Sequence, residues 1–179
     1  MPRAFSRKVH AGANFDMELP LTGASPVIEC RTGIGAQANE HQVVFKYWAP
    51  PTAVDQAVVF SGRSTIAAPV ISGNEVILNL TQPIDPNTSR PVPDRVTLVL
   101  FRVNDGSDIG DVGVQFAILA GDTNADTRVN VGDTNQVKGN SGQATSEANF
   151  RTDVNLDGRI NVGDVNFVKN YSGASLPPP

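Results

Sequence analysis

The sequence has few cysteines and histidines, and this excludes several kinds of chemistry. Cys30 is the only cysteine, so the chain cannot form an internal disulfide. We interpret Cys30 as a small buried strand residue, with an intermolecular bridge or a reactive thiol as the alternative. The two histidines, His10 and His41, stand in no zinc or triad spacing, and we expect His41 at the surface. Disulfide scaffolds and histidine-based catalysis are therefore not indicated.

The sequence is also short of charge, of long apolar runs and of catalytic motifs. Charged residues make up 18% of the chain and form no basic stripe, so no nucleic-acid partner is predicted. No apolar run is long enough for membrane insertion, and residues 1–13 lack the apolar centre of a signal peptide. Asp16 and Glu18 fit the polar face of a half-buried strand better than a glycosidase pair. We predict that the chain is not an enzyme.

The chain does have many turn residues between short apolar segments. It contains 16 glycines and 13 prolines, and turn signals such as Ser72-Gly73-Asn74 separate the apolar segments of residues 14–120. This spacing, with no helical pattern, predicts a mainly β fold, an immunoglobulin-like β-sandwich. The predicted strands are Phe15–Leu19, Val27–Cys30, Gln42–Trp48, Gln56–Phe60, Ser64–Ile71, Val76–Leu80, Arg95–Val103 and Val112–Leu119.

The C-terminal part contains a twelve-residue acidic loop twice, once from Asp122 to Asp133 and again from Asp153 to Asp164. Both copies have oxygen side chains at loop positions 1, 3, 5, 9 and 12, the spacing that folds a short loop around a hard cation such as calcium. Two loops in the same register are hard to explain as metal-free Asx turns. The predicted cofactor is two calcium ions, which would offset the formal net charge of −4.

The predicted ligands occupy the same positions in both loops. Side chains at positions 1, 3, 5 and 12 and the backbone carbonyl at position 7 would supply them, while Asn130 and Asn161 at position 9 would act through water. Val129 and Ile160 at position 8 are expected to pair the two loops back to back. The ligands are Asp122, Asn124, Asp126, the Arg128 carbonyl and Asp133 in the first loop, and Asp153, Asn155, Asp157, the Arg159 carbonyl and Asp164 in the second.

Position 6 distinguishes the two loops. The turn there needs a positive φ, which Gly158 adopts freely and the β-branched Thr127 does not. We therefore expect the first site to be weaker or distorted.

The duplication continues beyond the loops. Val137-Lys138 recurs as Val168-Lys169, and Ser141-Gly142 recurs as Ser172-Gly173. Each loop thus leads into a short helix ended by a glycine, and a further helix is expected over 146–151. This loop-then-helix repeat resembles the dockerin family, type I-like, over residues 121–174.

The resemblance implies a small α-helical domain with two EF-hand-type calcium loops that uses the acidic ligands given above. It also implies a cohesin-like partner, because dockerins bind cohesin domains and plug enzymes into extracellular complexes. The family's partner-recognition positions fall on Val131-Gly132 and Val162-Gly163. Well-studied members often carry hydroxyl residues there, and this chain departs from that pattern.

Residues 14–120 resemble, at the level of the fold, immunoglobulin-like modules of bacterial secreted or surface proteins. Residues 115–120 enter the first loop without a Pro/Thr/Ser-rich linker, which predicts a rigid joint fixed by calcium. Outside the two domains we expect an N-terminal arm, 1–13, and a Pro-rich tail, 175–179. The arm, or the strand at 15–21, is the candidate to pair with an open sheet edge of the next molecule and so build a filament.

These features together predict a non-catalytic calcium-binding structural module at an extracellular or cell-surface location. It would be a rigid subunit or spacer that assembles end to end with itself or with neighbouring surface domains. The alternative is a dockerin-type adaptor with a cohesin-like partner, and an enzyme role or a lectin role using Tyr47 or Trp48 comes third. Three sequons, at Asn79, Asn87 and Asn170, would accept glycans if the host glycosylates its surface proteins.

Overall fold

The computed structural model describes residues 2–21, 27–32 and 38–178. The strands lie between residues 3 and 118. They are followed by two helices, α1 (Val131–Asn140) and α2 (Val162–Tyr171), with a 3₁₀ turn at Phe150–Thr152 between them. The predicted fold class, a mainly β sandwich followed by a small helical domain, is confirmed. The strands are β1 (Arg3–His10), β2 (Ala13–Leu19), β3 (Val27–Glu29), β4 (Glu40–Lys46), β5 (Gln56–Ser61), β6 (Thr65–Ile66), β7 (Val70–Ser72), β8 (Glu75–Thr81), β9 (Ile84–Asp85), β10 (Arg90–Pro91), β11 (Asp94–Asn104) and β12 (Ile109–Ile118).

Two open sheets enclose the sandwich core. One has the order β2-β1-β4-β8-β6, with β7 also on β8, and the other has the order β3-β12-β11-β5. The β3–β12 pair is parallel, and the other neighbours in these sheets are antiparallel. Alternate residues of each long strand point inward, as the pleat requires, and the shared core includes Phe45, Leu78, Leu98 and Phe116.

The N-terminal segment is an inner strand and not an arm. β1 lies between β2 and β4, and the β1–β2 turn contains Ala11 and Gly12, both with positive φ. The arm was expected because the segment shows no apolar face. Its inward positions include the buried polar residues Ser6, Lys8 and His10, so the period-two pattern is hidden. The boundary expected after residue 13 would therefore cut a hairpin.

The Pro-rich tail also packs against the body of the protein. Leu176 is buried and its amide donates to the Thr127 carbonyl at 3.1 Å. Arg95 Nε donates to the Pro177 carbonyl at 2.8 Å. Residues 175–178 thus do not form the free, stiff extension that the proline run indicated.

Three further expectations meet the structure with mixed results. His41 is buried, with Nε2 3.2 Å from Gln82 Oε1, so the surface position expected for it is wrong. The strand expected over Ser64–Ile71 is split into β6 and β7 around Pro69, which cannot donate to a ladder. Cys30 is buried, and burial raises the pKa of its thiol to about 11.

Tyr47 and Trp48, the two aromatic residues considered for a lectin role, face opposite ways. Tyr47 is buried in the sandwich core, whereas Trp48 is 92% exposed. The structure therefore leaves one of the two side chains accessible at the end of β4.

The helical domain has its own core, which extends into the sandwich. Val137 and Val168 of the two helices pack with Val129 and Ile160 of the two loops. Residues from β3, β12 and the segment after it, Ile28, Ala117 and Leu119, belong to the same cluster. The helix expected over 146–151 is not formed; that stretch contains turns and the 3₁₀ turn.

Candidate metal centre

Three carboxylates converge in the first acidic loop. Asp122, Asp126 and Asp133 each offer an oxygen, and these oxygens lie within 4.8 Å of one another. Calcium binds oxygen at about 2.3–2.6 Å, so two ligands of one ion are at most about 5 Å apart. The spacing of this cluster fits a single calcium ion.

The second loop repeats the arrangement with Asp153, Asp157 and Asp164, whose oxygens meet the same 4.8 Å limit. In each loop the first and last aspartates are buried and the middle one is exposed. The same donor set, in the same order, is therefore present twice.

Backbone amides of each loop hold the carboxylates in place. In the first loop, the amides of Asp126 and Thr127 donate to Asp122, at 3.1 Å to Oδ1 and 2.9 Å to Oδ2. The Asp157 and Gly158 amides do the same for Asp153, at 3.2 and 2.9 Å. Because these bonds lie within one loop, the short sequence motif is enough to orient its own ligands.

The asparagines at position 9 serve as helix caps. Asn130 Oδ1 accepts from the Gly132 amide at 2.6 Å, and Asp133 Oδ2 accepts from the Asn130 amide at 2.8 Å, which completes a capping box for α1. Asn161 and Asp164 repeat this for α2. Position 12 thus both faces the cation site and caps the helix, so that the loop and helix are ordered together.

The position-3 asparagines and the position-7 arginines contact the middle aspartates. Asn124 Nδ2 donates to Asp126 Oδ2 at 3.0 Å, and the Arg128 amide donates to Asp126 Oδ1 at 2.9 Å. Asn155 and Arg159 make the same contacts with Asp157. Their assignment as calcium ligands, through the amide oxygen and the carbonyl, stays a prediction.

Clustering and burial shift the pKa of several of these carboxyls. Burial, with Asp133 nearby, raises the pKa of Asp122 to about 6. Burial also raises the pKa of Asp164. Burial acts in the same direction on Asp153, but hydrogen bonds from His10 and Thr145 outweigh it and the pKa is lowered. A divalent cation would relieve the repulsion within each cluster, because it favours the ionised form of every carboxylate around it.

Residues 120–171 match the family model described as the dockerin type I domain. This matching segment is called the dockerin domain below. The resemblance inferred from the duplicated loops is thereby confirmed, and members of this family bind calcium. No curated protein and no solved structure matches the chain.

The loops of the dockerin domain pair with the segments after the helices, and not with each other. Val129 exchanges backbone hydrogen bonds with Gly173 and Ala174, both at 2.9 Å. Ile160 does the same with Gly142 and Gln143, at 2.8 and 3.0 Å. The expected back-to-back pairing of position 8 is therefore wrong at the level of the backbone, although both side chains do share one core.

Position 6 has the backbone conformation that the motif requires in both loops. Thr127 has a φ of 75° and Gly158 a φ of 83°. A Cβ on Gly158 would lie 2.6 Å from the Ala11 Cβ in the β1–β2 turn, whereas Thr127 is exposed. The second loop is thus pressed against the sandwich at the position where it has a glycine.

The valines at the positions expected from the resemblance to recognise a partner are exposed. Val131 and Val162, the first residues of α1 and α2, are 71% and 69% exposed. Exposed apolar side chains at equivalent points of both repeats are available for a partner, and the fold does not need them for its own core.

Sequence reasoning missed the residues that join the domain to the sandwich. Arg151 Nη1 donates to the Ile28 carbonyl at 3.0 Å, and the Ala11 amide donates to the Leu156 carbonyl at 3.1 Å. His10 Nδ1 lies 2.8 Å from Asp153 Oδ2. These pairs are far apart in the chain and follow no spacing, so no local signal could have identified them.

Among the described residues, no helix has the length and apolar character needed to cross a bilayer.

Proposed function

We propose that the chain is a non-catalytic, calcium-dependent docking module of an extracellular or cell-surface protein. Its dockerin domain binds a cohesin-like partner, and the immunoglobulin-like sandwich holds that domain in a fixed orientation. The observation that carries the proposal is the pair of carboxylate clusters, each leading directly into a capped helix with an exposed valine at its start. Two calcium ions, one in each loop, are the proposed cofactors.

The docking surface is proposed at the starts of α1 and α2. Both helices present an exposed valine followed by exposed polar residues at matching positions. Apolar residues rimmed by polar ones are typical of a protein interface. The matching residues are Val131 and Val162, Asn135 and Asn166, and Lys138 and Lys169.

The test is binding of a panel of cohesin domains to the full chain by isothermal titration calorimetry, in calcium and after chelation. We expect binding in calcium alone, because the loops order the helices that carry the surface. Each single variant, Val131→Asp or Val162→Asp, should retain part of the partner binding if the starts of α1 and α2 are equivalent docking surfaces. The double variant should lose partner binding. Ile109→Asp, an exposed apolar position on β12, is the matched control. Binding that survives chelation or the double variant contradicts the proposal.

A second candidate function is end-to-end assembly into a structural filament. Contacts between the domains such as the Ala11–Leu156 bond support this function, because they fit the rigid joint that we expect. Among the described residues, β2 is an edge strand of its sheet. Strand donation by residues 1–13 has lost its basis, because β1 is an inner strand. The edge of β2 is the remaining candidate for self-pairing.

Sedimentation velocity of the full chain in calcium, repeated with chelator, separates the two functions. Large assemblies that dissolve on chelation would support the filament, and a monomer at all concentrations in calcium would exclude it. The three sequon asparagines, Asn79, Asn87 and Asn170, are exposed, and their glycosylation stays a prediction.

A further inference from the structure

A side chain from the sandwich reaches the first ligand position of the second calcium loop. His10, the last residue of β1, has its Nδ1 2.8 Å from Oδ2 of Asp153, and both side chains are fully buried. The two residues are 143 positions apart in the chain. His10 lies outside the segment that matches the dockerin family, so it is not part of the loop motif.

The neighbours of His10 decide which ring nitrogen carries the proton. Arg31 Nη1 lies 3.3 Å from His10 Nε2. A guanidinium can only donate, so Nε2 must accept and cannot carry a proton. The proton of the neutral imidazole therefore sits on Nδ1, and His10 donates it to Asp153.

Arg31 and the His10 ring are themselves held by the sandwich. The Arg31 side chain donates to both carboxylate oxygens of Glu29, at 2.8 and 2.7 Å, and both residues are fully buried. It also donates to the Phe15 carbonyl at 3.2 Å, and the Phe15 ring packs edge-on against His10 at 4.9 Å. The orientation of the imidazole is thus fixed by β1, by β2 and by the segment that follows β3.

The oxygens of Asp153 are used unequally. Oδ2 accepts from His10, from Thr145 Oγ1 at 2.5 Å and from the Gly158 amide at 2.9 Å. Oδ1 accepts the longer 3.2 Å bond from the Asp157 amide. Oδ1 is therefore the oxygen left for a cation, and the contacts to Oδ2 fix the plane of the carboxylate.

The first loop is built differently at the same points. The Asp122 carboxylate accepts from the amides of Asp126 and Thr127. The Leu176 amide donates to the Thr127 carbonyl, just as the Thr145 amide donates to the Gly158 carbonyl in the second loop, so Leu176 is the equivalent of Thr145. A leucine has no hydroxyl to offer, so the two loops differ in their supporting contacts although their ligand sets match.

We propose that His10 is a positioning residue for calcium in the second loop, so that the sandwich forms part of that site and the ion ties the two domains together. The inference rests on the proposed calcium binding of the loops. A residue that orients a ligand typically changes metal affinity by about 10- to 100-fold when it is removed. By linkage, calcium in the second loop stabilises the β1–β2 hairpin, and calcium in the first loop does so much less.

The test measures calcium affinity loop by loop in the full chain, by calorimetric titration. Asp126→Ala is used to remove calcium binding at the first loop, and Asp157→Ala to remove it at the second. Each variant then retains a single calcium site whose affinity can be measured alone. In the Asp126→Ala background, His10→Ala should weaken calcium binding about 10-fold or more. In the Asp157→Ala background it should change affinity by less than about twofold, since no contact of His10 reaches that loop among those described.

Two further variants distinguish a positioning role of His10 from a general loss of stability at the joint. His10→Asn retains a side-chain N–H donor close to the place of Nδ1, and it should recover most of the affinity of the second loop. Ile28→Val, at the same joint but with a side chain that offers no hydrogen bond to Asp153, should lower stability without selectively weakening that loop. Equal weakening of both loops by His10→Ala, no weakening, or failure of His10→Asn to rescue would overturn the proposal.

Nuclear magnetic resonance gives an independent readout that does not depend on affinity. Calcium added to the Asp126→Ala chain should slow amide exchange in β1 and shift the His10 ring signals, and calcium added to the Asp157→Ala chain should leave both nearly unchanged. An equal response in both backgrounds would overturn the proposed coupling. If the unsubstituted chain binds no calcium, the proposed function itself is wrong. If the chain binds calcium but His10→Ala does not change the affinity, only the role proposed for His10 is wrong.

Discussion

Thr127 and Gly158 hold the same loop position under different constraints. Both have a left-handed backbone, a conformation that costs a β-branched residue about 1–2 kcal/mol. Thr127 is exposed, whereas a Cβ on Gly158 would lie 2.6 Å from the Ala11 Cβ. The two loops are therefore not interchangeable at this residue.

We predict that Thr127→Gly tightens calcium binding at the first loop by about 0.5–1 kcal/mol, because backbone strain is relieved. The gain is smaller than the full strain, since glycine also adds freedom to the unbound loop. The matched change Gly158→Thr should weaken the second loop and lower the free energy of unfolding. Calorimetric titration and urea denaturation check these outcomes, and an unchanged first site would show that its turn is not strained.

Asp122 makes calcium binding at the first loop sensitive to pH. Its pKa in the folded, calcium-free protein is raised to about 6, against 3.8 for an ordinary aspartate. A raised carboxyl pKa means that the folded state binds the proton more tightly than the unfolded chain does. Asp122 therefore destabilises the calcium-free fold at neutral pH, and this cost is relieved as the pH falls from above 6 towards 4.

We predict that the stabilisation given by calcium, measured as the Tm difference with and without chelator, shrinks as the pH falls from 7 to 5. Below pH 6 calcium must displace a proton from Asp122, so its apparent affinity drops while the calcium-free fold gains stability. Asp164, whose pKa is also raised, acts in the same direction. Asp122→Asn should reduce the pH dependence of the calcium-free Tm. If that dependence is unchanged in the variant, a group other than Asp122 is responsible for it.

At the scale of elements, each loop and its helix form one local unit. The capping boxes of Asn130 with Asp133 and of Asn161 with Asp164 join the end of a loop to the start of a helix. The units are completed by crossed pairing, in which each loop hydrogen-bonds to the segment that follows the other helix. This exchange explains why the tail after α2 is ordered.

We predict that Leu176→Ala lowers the free energy of unfolding by about 2 kcal/mol, as expected for truncation of a buried leucine near the surface. It should also weaken the first calcium loop more than the second, because the buried Leu176 side chain holds the tail segment whose backbone amide donates to Thr127. Pro178→Ala, at an exposed position of the same tail, is the control. Equal stability of the two variants in urea denaturation would mean that the tail contributes nothing to the fold.

At the scale of the whole molecule, the two domains share a core and a buried polar network. Ile28 and Leu119 pack with the residues of the dockerin domain, and Arg151 donates to the Ile28 carbonyl. Separating the domains would expose this apolar surface and take from the buried His10 its hydrogen bond to Asp153, which is costly. The joint is therefore part of the fold and not a linker.

We predict a single cooperative transition for the full chain in calcium by differential scanning calorimetry. Chelation should lower the Tm of that transition, because calcium binds the folded state and not the unfolded one. Two well-separated transitions in calcium would show that the sandwich and the dockerin domain unfold independently, in spite of their shared cluster.

The sequence by itself determined the features that depend on short spacings. The carboxylate positions, the need for positive φ at position 6 and the glycines that end the helices all follow from local patterns, and the structure brings those same aspartates together. The strands β4, β5, β8, β11 and β12 were predictable for the same reason, since apolar patterning is local. The strand expected over Ser64–Ile71 is split around Pro69, and β9 and β10 were not predicted. The N-terminal strand was not, because Ser6, Lys8 and His10 face the interior.

Only the tertiary structure decided what those polar residues are for. Their inward positions are acceptable because distant groups satisfy them: Glu29 accepts from Ser6 and Arg31, the Glu40 carbonyl accepts from Lys8, and Asp153 accepts from His10. A buried polar side chain is stable only with such partners, and partners many residues away leave no periodic trace in the chain. The loops are therefore a property of the sequence, whereas their attachment to the sandwich is a property of the fold.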